Sequence, residues 1–381
     1  MTLSCTCGPH PVVNVDLDSL TNSGSSSDVQ DACRSHGCFH LRISVPHDDP
    51  SPLHNLQGDL CSNTESLFDE DMVRCANLNP DGGLVDTSYV AASSRRSATY
   101  RGRTSESGAA QQPEPKQSWE LRRCHAVAGS DVADDSRIVG ERLGRAEKWT
   151  DGLHRAAEIV VQMLGVDKDT ILQNGTCECS DKASGENQCC MDLMRVFRYD
   201  ALPSDSRTSR PGSSPHSDWG SLTVVWADTS GGLQTYCHEC DKWSDVAASL
   251  DADTSKNTID LFVHVGDFLS LATGCEYPSP RHRVFCPLQK EGGPYKESRC
   301  SLVYFAYPPL GISLEEAEMK LNASATLKKR GASLRYDRYS LLHNQSTHPS
   351  DKIADKDVYD RIRKLPFEEA IKEKWAQVQR K

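Results

Sequence analysis

His216 and Asp218 are separated by one residue, and this spacing can bring an imidazole and a carboxylate to one point. In an extended segment, residues i and i+2 lie on the same face of the strand. The two groups are two of the three ligands of the facial triad, which binds non-haem Fe(II) and leaves coordination positions open. We take His282 as the third ligand, because it begins a predicted strand far enough along the chain for a barrel to return. These residues predict an iron site.

A His-x-Asp pair is common in proteins, so this pair gains weight only from the order of the motifs around it. The motifs follow in the order 219–223, 231–234, 265–267, 282–284 and 299–301. With these motifs, residues 191–309 resemble the catalytic core of the 2-oxoglutarate/Fe(II) dioxygenases of the isopenicillin N synthase-like superfamily. Plant flavonoid and gibberellin oxygenases and the ethylene-forming oxidase belong to it. The resemblance implies that His216, Asp218 and His282 are the catalytic iron ligands.

Arg299 and Ser301 match the Arg-x-Ser pair of that superfamily, and the resemblance assigns them to the distal carboxylate of 2-oxoglutarate. A guanidinium group binds a carboxylate through two charge-assisted hydrogen bonds, and a hydroxyl adds a further donor. Tyr199 matches a family tyrosine that often contacts the co-substrate, although packing in the barrel core explains a tyrosine there equally well. Phe197 is a departure, because many members of the superfamily have Asn at this position.

The resemblance implies an enzyme, a 2-oxoglutarate-dependent dioxygenase that couples oxidative decarboxylation to hydroxylation or desaturation of a small-molecule substrate. Its cofactors would be Fe(II), 2-oxoglutarate as co-substrate and O2, with ascorbate as a further candidate. One alternative is a 2-oxoglutarate-independent oxidase of the isopenicillin N synthase or ethylene-forming type, since such oxidases keep the triad and an Arg-x-Ser pair. Another alternative is a non-catalytic metal-binding protein on the same fold, which an intact triad disfavours.

Charge and composition exclude several classes of function. The chain has 381 residues, with 43 Lys and Arg against 54 Asp and Glu, and a formal net charge of −11. A general nucleic-acid-binding protein presents a basic face to phosphates, so this balance argues against that class. No apolar run is long enough to predict a transmembrane helix, and the first residues lack a signal-peptide pattern. We expect a cytoplasmic monomer without a nucleic-acid partner or membrane association.

The periodicity of apolar residues predicts a mostly β fold with flanking helices. The many short strands favour a sandwich or barrel, and the resemblance specifies a double-stranded β-helix (jelly-roll) core with a helical N-terminal section and a C-terminal helix. Strands are predicted at residues 11–17, 38–41, 193–199, 221–227, 232–236, 261–265, 268–272, 283–286 and 301–307. Helices are predicted at residues 28–36 and 144–164 and from about Pro366 onward. Polar composition predicts a long loop or partly ordered insert at residues 81–118. Residues 203–215 are interpreted as a second loop, one that could contact the substrate.

We divide the chain into four stretches. Residues 1–125 form an N-terminal dioxygenase region, with a strand and a helix plus a polar insert. Residues 126–190 supply helical support and a Cys-rich insert. Residues 191–310 form the Fe(II)/2-oxoglutarate dioxygenase core, and residues 311–381 form a C-terminal helical tail.

The 16 cysteines allow two interpretations. Disulfide scaffolds are typical of short secreted chains, so we interpret most of the cysteines as reduced thiols. Cys237 and Cys240 have the spacing of half a zinc site. The other half would come from a second cluster, Cys177, Cys179, Cys189 and Cys190. Because Cys237 and Cys240 fall at an expected hairpin turn, we favour two thiols placed there by chance over a zinc site.

Overall fold

The structure is a computed structural model, and it describes fourteen segments of the chain. These are residues 9–19, 23–70, 72–73, 85–87, 96–101, 116–123, 137–173, 192–202, 211–228, 231–237, 240–247, 257–287, 298–321 and 360–379. The strands are β1 Val12–Asp16, β2 Cys38–Ser44, β3 Val85–Thr87, β4 Arg96–Arg101, β5 Lys116–Arg123, β6 Asp192–Asp200, β7 Pro211–His216, β8 Leu222–Ala227, β9 Leu233–Cys237, β10 Lys242–Asp245, β11 Thr258–Val265, β12 His282–Phe285 and β13 Ser298–Ala306. The α-helices are α1 Ser23–His36, α2 Leu56–Asn63, α3 Arg137–Leu164, α4 Lys168–Ile171, α5 Asp267–Ala272, α6 Leu314–Lys320 and α7 Phe367–Gln379.

The strands form two sheets that face each other across a cavity. The larger sheet has the order β1-β2-β11-β8-β13-β6-β5-β4-β3, and the smaller has the order β10-β9-β12-β7. Side chains from both sheets line the cavity between them. Only β1 and β2 pair in parallel among these strands, and α1 makes the crossover that parallel pairing requires. This mostly β architecture with flanking helices confirms the predicted fold class.

Strands from residues 1–125 and strands from residues 191–310 pair within the larger sheet. The β2–β11 and β5–β6 ladders join the two parts of the chain. Backbone hydrogen bonds therefore join residues 1–125 and residues 191–310 into one continuous sheet. The division into four stretches stays a prediction.

Helix α3 covers the outer face of the larger sheet. Residues alternate along β13, so Leu302 and Tyr304 pack in the same core cluster as Trp149 and Leu153 of the helix. The hydroxyl of Tyr304 also lies 2.7 Å from Nδ1 of His154. Burying a large apolar side chain stabilises the fold by about 1.5–3 kcal/mol. This packing on one face leaves the other face of β13 to the cavity.

The cavity face of the larger sheet is organised in rows across three strands. Arg299 of β13 is directly opposite Tyr199 of β6, which is directly opposite Lys116 of β5. Directly opposite residues share a face of a sheet, so the three side chains form one row inside the barrel. The next row on the same face lies two residues further along β13 and contains Ser301 opposite Phe197.

The prediction of a strand at residues 268–272 is wrong, because this segment is helix α5. All six residues of α5 are buried. The segment therefore shows no alternation of apolar and polar residues that would distinguish a buried helix from a buried strand. Gly266, in an extended conformation, precedes the helix. Ring contacts of Phe268 and Tyr307 with Phe367 of α7, at 5.2 and 5.4 Å between centroids, cover α5 from the outside.

The loop predictions for residues 81–118 and 203–215 are wrong in part. The first stretch contains β3, β4 and the start of β5, and the second contains most of β7. Polar composition misled the prediction because Lys116, Ser118 and Glu120 are buried on the cavity side of β5. Residues 88–95, 102–115 and 203–210, like the cysteine cluster at residues 177–190, lie outside the described residues.

Gly266 fixes the distance between α5 and the loop that carries Asp218. A Cβ atom at Gly266 would lie 2.1 Å from the carbonyl oxygen of Gly220 and 3.3 Å from that of Asp218. Two backbone hydrogen bonds hold this approach, from Gly266 N to Ser221 O at 2.9 Å and from Asp267 N to Asp218 O at 2.7 Å. The absence of a side chain is therefore a steric requirement here.

We expect Gly266→Ala to lower the free energy of unfolding by at least about 2 kcal/mol, because backbone atoms must shift to relieve the overlap. Urea denaturation measures this change. The matched control is Gly58→Ala in α2, where a Cβ atom meets nothing within 4 Å. Alanine there should be neutral or stabilising by up to about 1 kcal/mol. Equal stability of Gly266→Ala and the unmodified protein would contradict this account.

Candidate metal centre and co-substrate pocket

The structure brings His216, Asp218 and His282 together at the edge of the cavity. One potential ligand atom from each residue lies within 4.8 Å of the other two. Nε2 of His216 lies 3.6 Å from Oδ1 of Asp218, and Nε2 of His282 lies 3.7 Å from the same oxygen. Ligand atoms that each lie about 2 Å from one metal ion are about 3–4 Å apart. Three donors therefore converge at the spacing of a metal site.

Strand pairing within the smaller sheet sets this geometry. His216 ends β7 and His282 begins β12, and the two residues are directly opposite each other in the antiparallel ladder. Their rings lie 4.2 Å apart between centroids. Asp218 follows His216 in the loop that α5 buttresses. The local i, i+2 spacing and one long-range pairing are both needed to assemble the three donors.

Hydrogen bonds outside the triad orient its donor atoms. Nδ1 of His216 lies 2.7 Å from the carbonyl oxygen of Ser214, and Nδ1 of His282 lies 3.4 Å from that of Pro280. A carbonyl only accepts hydrogen bonds, so each Nδ1 carries the proton and each Nε2 presents a lone pair to the centre. The chemistry of this donor set fits Fe(II), for which two imidazoles and a carboxylate are an established ligand combination.

Asp218 uses its two carboxylate oxygens differently. Oδ1 faces the two histidines of the triad, whereas Oδ2 accepts a hydrogen bond of 2.6 Å from the hydroxyl of Thr223 on β8. Thr223 therefore fixes the rotation of the carboxylate from the side opposite the donors. Thr223 belongs to a motif already noted at residues 219–223, but that motif alone does not assign its role.

The electrostatics of the centre favour the protonation states that bind a cation. Burial lowers the pKa of His282 well below its ordinary value. Burial alone would raise the pKa of Asp218, but the imidazoles of His282, His264 and His216 and the hydroxyl of Thr223 together lower it to about 2. His282 is therefore a neutral imidazole and Asp218 a carboxylate at neutral pH, as metal ligation requires.

His264 is a fourth histidine beside the triad, on β11. Its Nε2 lies 3.5 Å from Oδ2 of Asp218, and its ring centroid lies 4.4 Å from that of His282. It approaches the oxygen that Thr223 occupies rather than Oδ1, and it is not part of the converging donor group. His264 therefore packs beside the triad and adds no fourth donor to the converging group.

Arg299 and Ser301 lie in the wall of the same cavity. The cavity has a volume of about 180 Å³. Arg299 is 1% exposed, and its Nη1 donates a hydrogen bond of 3.1 Å to the hydroxyl of Ser301 while its Nε donates to the carbonyl oxygen of Gly231. Among the described residues no carboxylate forms an ion pair with Arg299. A buried cation with neutral partners is a strong site for a ligand anion.

Tyr199 and Phe197 complete this end of the cavity. The guanidinium carbon of Arg299 lies 5.1 Å from the centre of the Tyr199 ring, and the Tyr199 hydroxyl lies 3.4 Å from the hydroxyl of Ser213. The rings of Phe197 and Tyr199 stack at 5.8 Å. Tyr199 thus has both a packing contact and a polar one in the cavity.

The cysteine motif is separate from this centre. Cys237 ends β9 and Cys240 lies in the turn before β10, and neither forms a disulfide. Within the described part of the chain, the group that could hold a metal ion is His216, Asp218 and His282. The described cysteines form no disulfides, which agrees with the interpretation of most cysteines as reduced thiols. The second cysteine cluster lies outside the described residues.

The fold and the donor geometry agree with a comparison against known families. Residues 190–308 match the 2OG-Fe(II) oxygenase superfamily. This segment is therefore similar to the 2OG-Fe(II) oxygenases. The family match confirms the predicted superfamily and its cofactors, Fe(II) and 2-oxoglutarate, for this segment. His216, Asp218, His282, Arg299, Ser301 and Tyr199 all fall inside it.

Curated relatives and solved structures extend the comparison. The chain is 33% identical over 132 residues to the 2-oxoglutarate-dependent dioxygenase frbA of Dothideomycetidae sp. (strain 11243), covering 34% of this chain and 37% of that protein. It is 28% identical over 153 residues to the proline hydroxylase buaE of Petromyces alliaceus, covering 39% of this chain and 46% of that protein. The chain thus matches less than half the length of each relative.

A full-length protein of Neurospora crassa, crystallised in complex with alpha-KG and thymine, has a matching fold with a TM-score of 0.52. The sequences are 14% identical, and the match covers 86% of this chain and 100% of that chain. The likeness supports the jelly-roll fold well beyond residues 190–308. None of the described helices combines the length and apolar content needed to cross a membrane.

We expect Thr223→Val to weaken the binding of Fe(II) or Mn(II) about tenfold to hundredfold, because the Asp218 carboxylate loses the donor that orients it. Calorimetric titration of anaerobic protein measures the dissociation constant. Thr223→Ser keeps the hydroxyl and should stay close to the unmodified protein. If Thr223→Val binds metal as tightly as the unmodified protein does, the orienting role is wrong.

Proposed function

We propose that the protein is a non-haem Fe(II) oxygenase that couples oxidative decarboxylation of 2-oxoglutarate to hydroxylation or desaturation of a small-molecule substrate. His216, Asp218 and His282 hold the iron, and Arg299, Ser301 and Tyr199 hold the co-substrate. One observation carries the proposal. The converging His-Asp-His donors share a cavity with a buried arginine that has no carboxylate partner among the described residues.

When bound, Fe(II) supplies the redox chemistry that uses O2 and 2-oxoglutarate to oxidise the substrate, with succinate and CO2 as co-products. The protein contributes position and environment. The triad holds the metal at the cavity edge, with Thr223 fixing the carboxylate ligand. The guanidinium of Arg299 and the hydroxyl of Ser301 take the distal carboxylate of the co-substrate and set its orientation. Fixed placement of this kind lowers the barrier by removing the need to bring reactants together.

The walls of the cavity support a small substrate with an apolar body. Val225, Leu233, Val303 and Phe305 present aliphatic and aromatic surface to the cavity. Pockets for drug-sized ligands have volumes of about 300–1,000 Å³, and this cavity of about 180 Å³ also has to hold 2-oxoglutarate, so it favours a small substrate. An apolar wall also excludes water from the reacting centre.

We further propose that the protein acts as a cytoplasmic monomer. One chain carries the whole candidate donor set, so the site needs no residue from a second copy. Cys33, Cys61 and Cys300 form no disulfide in the structure, and cysteines that stay reduced are typical of a reducing compartment. No observation favours the 2-oxoglutarate-independent oxidase or the non-catalytic metal-binding protein over this proposal.

Anaerobic protein loaded with Fe(II) should develop a weak visible charge-transfer band on addition of 2-oxoglutarate. Arg299→Met should raise the 2-oxoglutarate concentration at half saturation at least about tenfold, because it removes a charge-assisted hydrogen-bonding partner. Arg155→Met, at a half-buried arginine on α3 that does not line the cavity, is the matched control and should behave as the unmodified protein.

Two results would contradict the proposed function. Protein that binds iron but gives no band with 2-oxoglutarate would support the 2-oxoglutarate-independent oxidase. Stoichiometric zinc that persists in His216→Ala would support a metal site elsewhere in the chain and the non-catalytic alternative.

A further inference from the structure

A second cationic side chain, Lys116, faces the cavity in the same row as Arg299. Lys116 is 5% exposed and lines the cavity from β5. Its Nζ lies 3.1 Å from the hydroxyl oxygen of Ser213 and 5.3 Å from the centre of the Phe197 ring. The ring and the hydroxyl hold the ammonium group in the cavity wall, since an aromatic face attracts a cation.

The two cations lie on either side of Tyr199. Arg299 and Lys116 are its directly opposite partners on β13 and β5, so their Cα atoms are separated by two strand spacings, about 10 Å. The guanidinium of Arg299 lies over the Tyr199 ring, and Ser213 joins the Tyr199 hydroxyl to the ammonium of Lys116. Long cationic side chains that converge from about 10 Å apart can both reach one carboxylate between them.

The distance between the metal centre and Lys116 indicates that this carboxylate is the distal carboxylate of 2-oxoglutarate. Ser213 precedes His216 by three residues on β7, but a bulge sets these three residues against only two of β12, from His282 to Val284, which corresponds to about 7 Å of strand. 2-Oxoglutarate is about as long as two extended residues, about 7 Å, and a hydrogen bond adds about 3 Å. A co-substrate bound at the metal through one end therefore brings its other end to the level of Ser213 and Lys116.

We propose that Lys116 is a second binding residue for the distal carboxylate of 2-oxoglutarate, with Ser213 positioning its ammonium group. This inference rests on the proposed function and adds a residue to that site. Lys116 and Arg299 together make the cavity selective for a 2-oxo acid with a carboxylate at its far end. Phe197, which departs from the superfamily pattern, is the ring that supports the lysine.

The experiment compares two ligands that differ only at the distal group. Anaerobic Fe(II)-loaded protein is titrated with 2-oxoglutarate and with 2-oxopentanoate, in which a methyl group replaces the distal carboxylate. The dissociation constants come from calorimetry and from the visible band, so the result does not depend on turnover. The variants are Lys116→Met, Lys116→Arg and Ser213→Ala, with the exposed Lys320→Met as the control.

We expect Lys116→Met to weaken 2-oxoglutarate binding at least about tenfold and to leave 2-oxopentanoate binding unchanged, because only the first ligand offers a carboxylate to the ammonium group. Lys116→Arg keeps the charge and should lose only a few-fold. Ser213→Ala should weaken 2-oxoglutarate selectively, which keeps the proposal testable if Lys116→Met does not fold. Lys320→Met should match the unmodified protein with both ligands.

Three results would overturn the inference, and they separate it from the proposed function. If the unmodified protein gives a saturable band and Lys116→Met gives the same dissociation constant for 2-oxoglutarate, only the role of Lys116 is wrong. The same holds if Lys116→Met weakens both ligands equally, because Lys116 then acts through the shape of the cavity. If the unmodified iron-loaded protein does not bind 2-oxoglutarate, the proposed function and the inference are both wrong.

Discussion

The carboxylate of Asp218 joins the two sheets of the barrel, and the arrangement of the site depends on it. Oδ1 faces the histidines of the smaller sheet, and Oδ2 accepts the hydrogen bond from Thr223 on the larger sheet. Thr223 is itself fixed on both sides, by pairing with Phe305 of β13 and His264 of β11. The register of the larger sheet therefore helps to fix the position of the Asp218 carboxylate, which belongs to the loop after β7. A one-residue slip of β8 would turn the threonine away from the cavity.

The interior of the larger sheet carries a gradient of charge. The row of Arg299, Tyr199 and Lys116 is cationic. Two rows further along β6, Arg195 is paired with Glu120, whose Oε2 lies 2.7 Å from its Nη2. A buried pair of this kind is neutral overall and offers no net charge to a ligand, although removing one partner would be costly. The cavity therefore concentrates net positive charge at one end, and the rows nearer the metal present Val303 and Phe305.

Sequence alone predicted the parts of this site that depend on local spacing. The i, i+2 separations of His216 and Asp218 and of Arg299 and Ser301 place each pair on one face of an extended segment, whatever the rest of the fold does. Lys116 could not be found in this way, because it joins the site through registers between three strands. A signal was present: polar residues at 116, 118 and 120 alternate with Trp119 and Leu121, which is a strand pattern with its polar face inward. Helix α5 was mistaken for a strand because burial on all sides removes the periodicity on which such predictions depend.

The packing of α7 on α5 affects the stage of synthesis at which the surroundings of Asp218 are complete. Asp267 of α5 binds the backbone of Asp218, and Phe268 packs beneath Phe367 of α7. Of the described elements, α7 is the last to leave the ribosome, because synthesis proceeds from the N-terminus. Helix α5, which supports the backbone of Asp218, thus acquires its contact with α7 only after all the other described elements exist. A nascent chain that has completed residues 190–308 still lacks the contact between the ring of Phe268 and that of Phe367, so the packing around α5 is complete only in the longer chain.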